Sequence, residues 1–396
     1  MTRPTLLHAA RFALALGLLG FLYVLVRLYT DLGVGGTLLD YLVIGTSQGA
    51  IYAFIALGYT MVYGIIRLIN FAHGEIFMAG AFAGYFVLRD GGIERLALPQ
   101  PWPVVLAYVV AVLAGALVSG VLAVLAEALC YRPIRSSGRI AALLTAVGLS
   151  LLLQNVARQW PAIGPTQRPW PDPLVWTALA DVPSPADAHY YELRTFPASG
   201  GGTVQREKLA VAKGATLQPA VRARLEQEGP RPLYRKGSID PRTVNRVIVL
   251  LLAACTGILW FLVQRTRMGR AMRAVSEDAA AAQLMGVHVN RVVAATFFLG
   301  AGLAGVGGVA YCTRYGQVDP LTGFMPGLKA FIAAVLGGIG SIPGAVVGGL
   351  LLGIVENLFG AYVSTQWKDA LAFVVLVCIL LVRPTGLLGK ARREKV

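Results

Sequence analysis

Between Gly64 and Phe86 the chain reads GIIRLINFAHGEIFMAGAFAGYF, and Arg67, Asn70, His73 and Glu75 fall within nine residues of it. The flanks are apolar on both sides. A charge at mid-bilayer costs about 2.5–3.5 kcal/mol on insertion scales, so ionisable groups in such surroundings mark a functional position by default. Asn70 suits an N-cap for the apolar segment that follows, and Glu75 in a first helical turn is favoured by the helix dipole. Asn70, His73 and Glu75 are candidates for a gate or a subunit contact along a translocation path. Other polar groups inside apolar runs are Glu127, Gln154 with Asn155, and Glu356 with Asn357. Glu127 stands close enough to Arg132 to pair with it. Glu356 is the deepest of the set, and Glu356 and Asn357 join the path candidates; interhelical hydrogen bonding is the plainer role for all of them.

Enzymatic chemistry finds no support. The four histidines, His8, His73, His189 and His288, lie far apart without a nucleophile or a metal-ligand pattern around them. Cys130, Cys255, Cys312 and Cys378 are scattered and lack C-x-x-C spacing, so they read as small core residues, and no metal is expected. No G-x-x-x-x-G-K-[ST] occurs; Gly386-Leu387-Leu388-Gly389-Lys390 has neither its spacing nor its hydroxyl. No cofactor is expected on this chain, and any ATP used belongs to another subunit.

The elements that must position these residues are membrane helices. Of 396 residues, 56% are hydrophobic and 14% charged, against about one-quarter charged in a soluble domain. The mean hydropathy is +0.65. Apolar segments fall at about 12–29, 41–66, 71–88, 103–130, 140–158, 244–264, 290–312, 324–340, 343–363 and 369–383. The fold class is therefore all-α, a polytopic helical bundle of about 8–10 spans, the lower number applying if the short segments 71–88 and 324–340 re-enter. The net charge of +15 does not point to nucleic acid, because lysines and arginines cluster at segment ends. Their distribution, with the basic loops at 132–139, 265–291 and 390–395 on one side, predicts that both termini are cytoplasmic.

The chain divides into a membrane half at 1–160, an extracytoplasmic insertion at 161–243 and a second membrane half at 244–396. The insertion is rich in proline and glycine around a possible short helix from Val204 to Leu225. It is equally a spacer or a docking surface. Glycines at four-residue spacing, Gly340, Gly344 and Gly348 and again Gly349 and Gly353, predict close helix contacts, as do Gly300, Gly302, Gly305, Gly307 and Gly308.

The loop RTRMGRAMRAVSEDAAAAQLMGVHVNRV carries a short capped helix at about 268–285. Met268, Met272, Val275, Ala279 and Ala282 form a weak apolar stripe, while Arg270, Arg273 and Glu277 line another face, with Arg273 and Glu277 at pairing distance. Gly286 is placed to end the helix and Asn290 to cap the next span. The helix is read either as an interfacial element lying on lipid or as a rigid knob that docks a cytoplasmic partner.

The stretches MGRAMRAVSEDAAAAQLMGV, GYTMVYGIIRLINFAHGEIFMAG, GLKAFIAAVLGGIGSIPGAVVGGLLLGIVE, STQWKDA and RPTGLLG together resemble the LivH-type permeases of the branched-chain amino acid ABC importer family. The resemblance covers most of the chain outside its opening residues and the 161–242 stretch. It implies an inner-membrane importer subunit for branched-chain or related amino acids. It also implies a LivM-like second permease subunit, two ATPase subunits and a periplasmic substrate-binding protein as partners. Arg270, Arg273, Glu277, Asp278 and Gly286 are then the ATPase-coupling residues. A urea or short-amide permease is the related alternative, and an ion-driven secondary transporter or a passive channel the rival from another class.

Overall fold

The computed structural model describes residues 37–66, 70–91, 102–135, 137, 139–171, 175–178, 189–195, 205–211, 234–237 and 241–389. Its helices are α1 (Thr37–Ile66), α2 (His73–Asp90), α3 (Trp102–Ala126), α4 (Arg139–Gln159), α5 (Pro241–Arg265), α6 (Arg267–Glu277), α7 (Ala279–Leu284), α8 (Val289–Tyr315), α9 (Phe324–Gly337), α10 (Ile342–Tyr362) and α11 (Lys368–Val382). Helix α3 runs on through a π-helical turn, Glu127–Tyr131, and a short turn, Arg132–Ile134. Among the described residues six helical stretches are long and apolar enough to cross a membrane: Asp40–Ile66, Val104–Ile134, Ile140–Gln159, Thr243–Arg265, Val289–Tyr315 and Ile342–Tyr362. The expected segment at 12–29 lies outside the described residues. The segments expected at 71–88, 324–340 and 369–383 appear as the shorter helices α2, α9 and α11.

Two compact units are present, one of Met1–Tyr85, Val110–Trp170 and Pro241–Val396, the other of Phe86–Val109 and Pro171–Asp240. In the first, α1 is the axial element. A helix apolar on every face is buried on every face, and Ile51, Ala53, Phe54, Ile55, Ala56 and Leu57 are fully covered. α10, α8, α9 and α5 pack around it. Leu113 and Leu117 on α3, Leu144 and Leu152 on α4 and Leu250 on α5 are exposed, faces that suit hydrocarbon rather than water.

Small residues set the closest approaches. A Cβ on Gly49 would meet Gly349 and Leu350 backbone, and one on Gly349 would meet Ala53, so α1 and α10 touch through backbone. Gly344 and Gly348 pack against α9 in the same way. Gly340, expected in this series, is instead a turn residue with φ +95 and open space around it.

In the second unit, β2 (Val175–Ala178) pairs antiparallel with β5 (Tyr234–Gly237), and β3 (His189–Thr195) with β4 (Gln205–Val211). The helix expected from Val204 is thus a strand over its first part. Pairing with 189–195 overrides the local helical preference, and 212–233 lie outside the described residues. In the first unit, Arg168–Pro169 (β1) pairs with Gln317–Val318 (β6), tying the segment after α4 to the end of α8.

Candidate functional site

Three constellations collect the polar residues, all in the first unit. The first is the start of α2. His73 is the first residue of the helix, so Asn70 lies two positions before the N-cap and does not cap it as expected. Its carbonyl accepts from the His73 N–H at 3.0 Å, while its side-chain oxygen accepts from the Tyr131 hydroxyl at 2.6 Å. The competing donor, a phenol brought in by the π turn of α3, comes from a distant part of the chain.

His73 packs its ring 4.9 Å from that of Tyr59 and directly against Gly58, which itself lies on Gly300. Gly58 stands eight residues, about 12 Å, from the end of α1, and Gly300 lies eleven residues, about 16 Å, from the start of α8. The motif therefore lies well inside the bundle. α2 starts part-way along its neighbours because the chain after α1 turns back inward through residues 70–72. Arg67 lies outside the described residues.

Glu75, 1% exposed, accepts from Gln154 Nε2 at 2.7 Å and from Ser150 Oγ at 3.1 Å. α9 begins at the same place: a Cβ on Gly74 would meet the Gly323 carbonyl, and one on Gly327 would meet Gly74. Where these two helix starts face α4 there is a cleft of about 180 Å³, whose lining includes Phe71, Glu75, Leu151, Gln154, Phe324 and Leu328.

The second constellation surrounds Glu356. Lys329 on α9 is an ion-pair partner of Glu356 and lies 2.6 Å from Asp369 on α11. Tyr52 on α1 donates to Glu356 Oε2 at 2.8 Å and accepts from Gln48 Nε2 at 2.6 Å. Asn357 donates to Gln48 Oε1 at 2.7 Å and to the Gly353 carbonyl at 2.9 Å. Buried charges persist when each has a partner and its remaining lone pairs are filled, and here four helices supply them. Lys329, Tyr52 and Gln48 escaped the sequence reading. Lys329 had a visible signal, being the lone charge between Phe324 and Gly337. A second cleft, of about 360 Å³, opens beside Gln48, Glu356, Asn357 and Lys368.

The third is the segment after α5, which forms two helices where one was expected. Thr266 caps α6 by accepting from the Gly269 N–H at 3.0 Å. Asp278 breaks the segment and caps α7, accepting from the Ala280 and Ala281 N–H groups at 2.9 and 3.0 Å. A carboxylate that takes two amide donors ends one helix as it begins the next. Met272, Val275 and Ala282 are buried in the bundle core, while Met268 and Ala279 are exposed, which narrows the expected stripe.

Arg273 donates to the Val263 carbonyl. Arg270, Glu277 and Asp278 are exposed. Gly286 ends the segment with φ +84, a left-handed conformation as predicted for this glycine. Leu284 and Met285 stand 89% and 85% exposed at its tip. Asn290 does not cap α8: His288 holds that position, and Asn290 Oδ1 accepts from Arg135 at 3.2 Å. Arg135 and Arg132 each lie 2.7 Å from the fully buried Glu127, which fits the pairing expected for it. Among the described residues no three His, Cys, Asp or Glu side chains gather as metal ligands.

Residues 41–380 match the family model described as the permease component of the branched-chain amino acid transport system. The chain is 38% identical over 352 residues to the high-affinity branched-chain amino acid transport system permease protein LivH of Escherichia coli K12, covering 89% of this chain and 96% of that protein. It is 36% identical over 362 residues to the corresponding permease protein BraD of Pseudomonas aeruginosa, covering 90% and 98%. A more distant likeness, 35% over 140 residues, covers 33% of this chain and 38% of the fructose import permease protein FrcC of Rhizobium meliloti. No solved structure matches.

Proposed function

From the premise that the chain belongs to the family of branched-chain amino acid transport permeases, we propose that it is the membrane-embedded subunit of an ATP-driven importer for branched-chain amino acids. Its partners are a second, LivM-like permease subunit, two cytoplasmic ATPase subunits and a periplasmic substrate-binding protein. The protein resides in the inner membrane with both termini and the 266–286 segment on the cytoplasmic side, as the basic residues of its short loops favour.

The observation that carries this reading is the build of α6 and α7. The pair is seated on the bundle by Met272, Val275 and Ala282, stiffened by the Thr266 and Asp278 caps, and solvent-exposed on its outer side. An element lying on lipid turns its apolar face to the membrane; here that face is buried in the bundle core and the charged face is exposed, as a lever requires. ATP binding closes the ATPase subunits, which grip the exposed face carrying Arg270, Glu277 and Asp278 and the Leu284–Met285 tip. The push enters α8 directly, and α3 through Asn290, Arg135 and Glu127. From the same turn of α3, Tyr131 holds Asn70 at the start of α2. The bundle thereby moves between outward- and inward-facing shapes, an equilibrium that ATP shifts only by binding one shape better than the other.

Purification of the chain from its native membrane should recover ATPase subunits with it. Proteoliposomes of the complex should take up leucine when ATP and the binding protein are supplied, with or without an ion gradient. Uptake that continues without ATP and collapses with the gradient would overturn the proposal in favour of a secondary transporter.

A further inference from the structure

Glu75 fills its two carboxylate oxygens unequally. Oε1 takes both available donors, Gln154 and Ser150, whereas Oε2 is buried with no hydrogen-bond partner. An unsatisfied buried acceptor costs about 1–3 kcal/mol, and more when charged, so a group left this way inside a bundle is matched to something that arrives later. The residue lines the cleft between α2, α4 and α9. Around it the walls are apolar: Phe71, Leu151, Phe324 and Leu328. The cleft's volume of about 180 Å³ is below the roughly 300 Å³ at which pockets for drug-sized ligands begin. Helices α2 and α9 both begin at this cleft, which Glu75, Gly323 and Phe324 line together, so the positive ends of two helix dipoles open onto it.

We propose that this cleft is a subsite for a small apolar amino acid. The ligand's α-ammonium group donates to Glu75 Oε2, its hydrocarbon side chain lies among Phe71, Leu151, Phe324 and Leu328, and its carboxylate faces the two helix starts. The inference rests on the importer reading and deepens it, because it gives the charged head of the cargo a seat within this chain. A hard divalent cation does not fit the same place. It would need several oxygen ligands, whereas Ser150 and Gln154 already donate to Glu75 and most of the remaining lining is apolar.

The test uses the assembled importer purified without its binding protein, probed with isotope-labelled L-leucine. Two competitors divide the leucine structure: isoamylamine keeps the ammonium group and the side chain, and isocaproate keeps the carboxylate and the side chain. Isoamylamine should displace leucine, and isocaproate should do so at least about tenfold less well. Glu75→Gln should weaken leucine binding by about tenfold or more, and Val147→Trp, which places a large side chain at another position of the lining and leaves Glu75 unaltered, should do the same.

Equal competition by the two analogues, or leucine binding to Glu75→Gln at the original affinity, overturns the subsite. Should Glu75→Gln fail to assemble, the competition on the unaltered importer decides alone. An importer that carries leucine with ATP yet lacks this amine selectivity refutes only the subsite. One that carries no amino acid refutes the functional reading itself.

Discussion

Lys329 sits between two carboxylates of different standing, the Glu356 side chain at 1% exposure and that of Asp369 at 47%. The buried acid depends on the lysine; the half-exposed one is hydrated without it. Removing one partner of a buried pair costs about 3–5 kcal/mol because the other charge is stranded, whereas replacing both by apolar groups is often neutral. Lys329→Met should therefore lower the stability of the purified protein by about 3 kcal/mol, and the double variant Lys329→Met, Glu356→Leu should recover most of that. A double-mutant cycle on thermal unfolding in detergent measures it. Additive losses would show that the pair is not a unit. The acid was legible in the sequence, as any carboxylate in an apolar run is. Its cation was equally visible, but that residues 27 and 40 positions apart meet at one ammonium group depends on the fold.

At the scale of elements, glycine spacing announced close packing and the structure supplies the partners. Gly323 faces the Gly74 backbone, and a Cβ there would run into the Gly74 carbonyl. A Cβ on Gly148 of α4, by contrast, would meet nothing within 4 Å. Gly323→Ala should thus force α2 and α9 apart and reduce the yield of folded protein in the membrane. Gly148→Ala should raise stability by about 0.5–1 kcal/mol, the gain from replacing glycine inside a helix. Membrane yield and thermal unfolding of the two variants test the contrast; equal behaviour would mean that the α2–α9 crossing is loose. The break of the segment after α5 into α6 and α7 was only half legible. Helix-forming residues run through Asp278, and the two amide donors that its carboxylate captures decided where one helix stops.

For the whole molecule, the prediction is orientation. Leu284→Cys, in a chain whose four native cysteines are replaced by alanine, should react with a membrane-impermeant maleimide only from the cytoplasmic side. Labelling of intact cells from outside would invert the topology and remove the lever. The sequence by itself determined the class, the helical segments within the described residues and the position of the capped segment between α5 and α8, because apolar length and cap residues are properties of neighbouring positions. Only the tertiary structure decided how deep the Asn70–Glu75 motif lies and which donors reach it. It also decided that part of the insertion is strand. Depth depends on where the chain turns back relative to other helices, and donors such as Tyr131, Ser150 and Gln154 arrive from far along the chain. No local pattern encodes either.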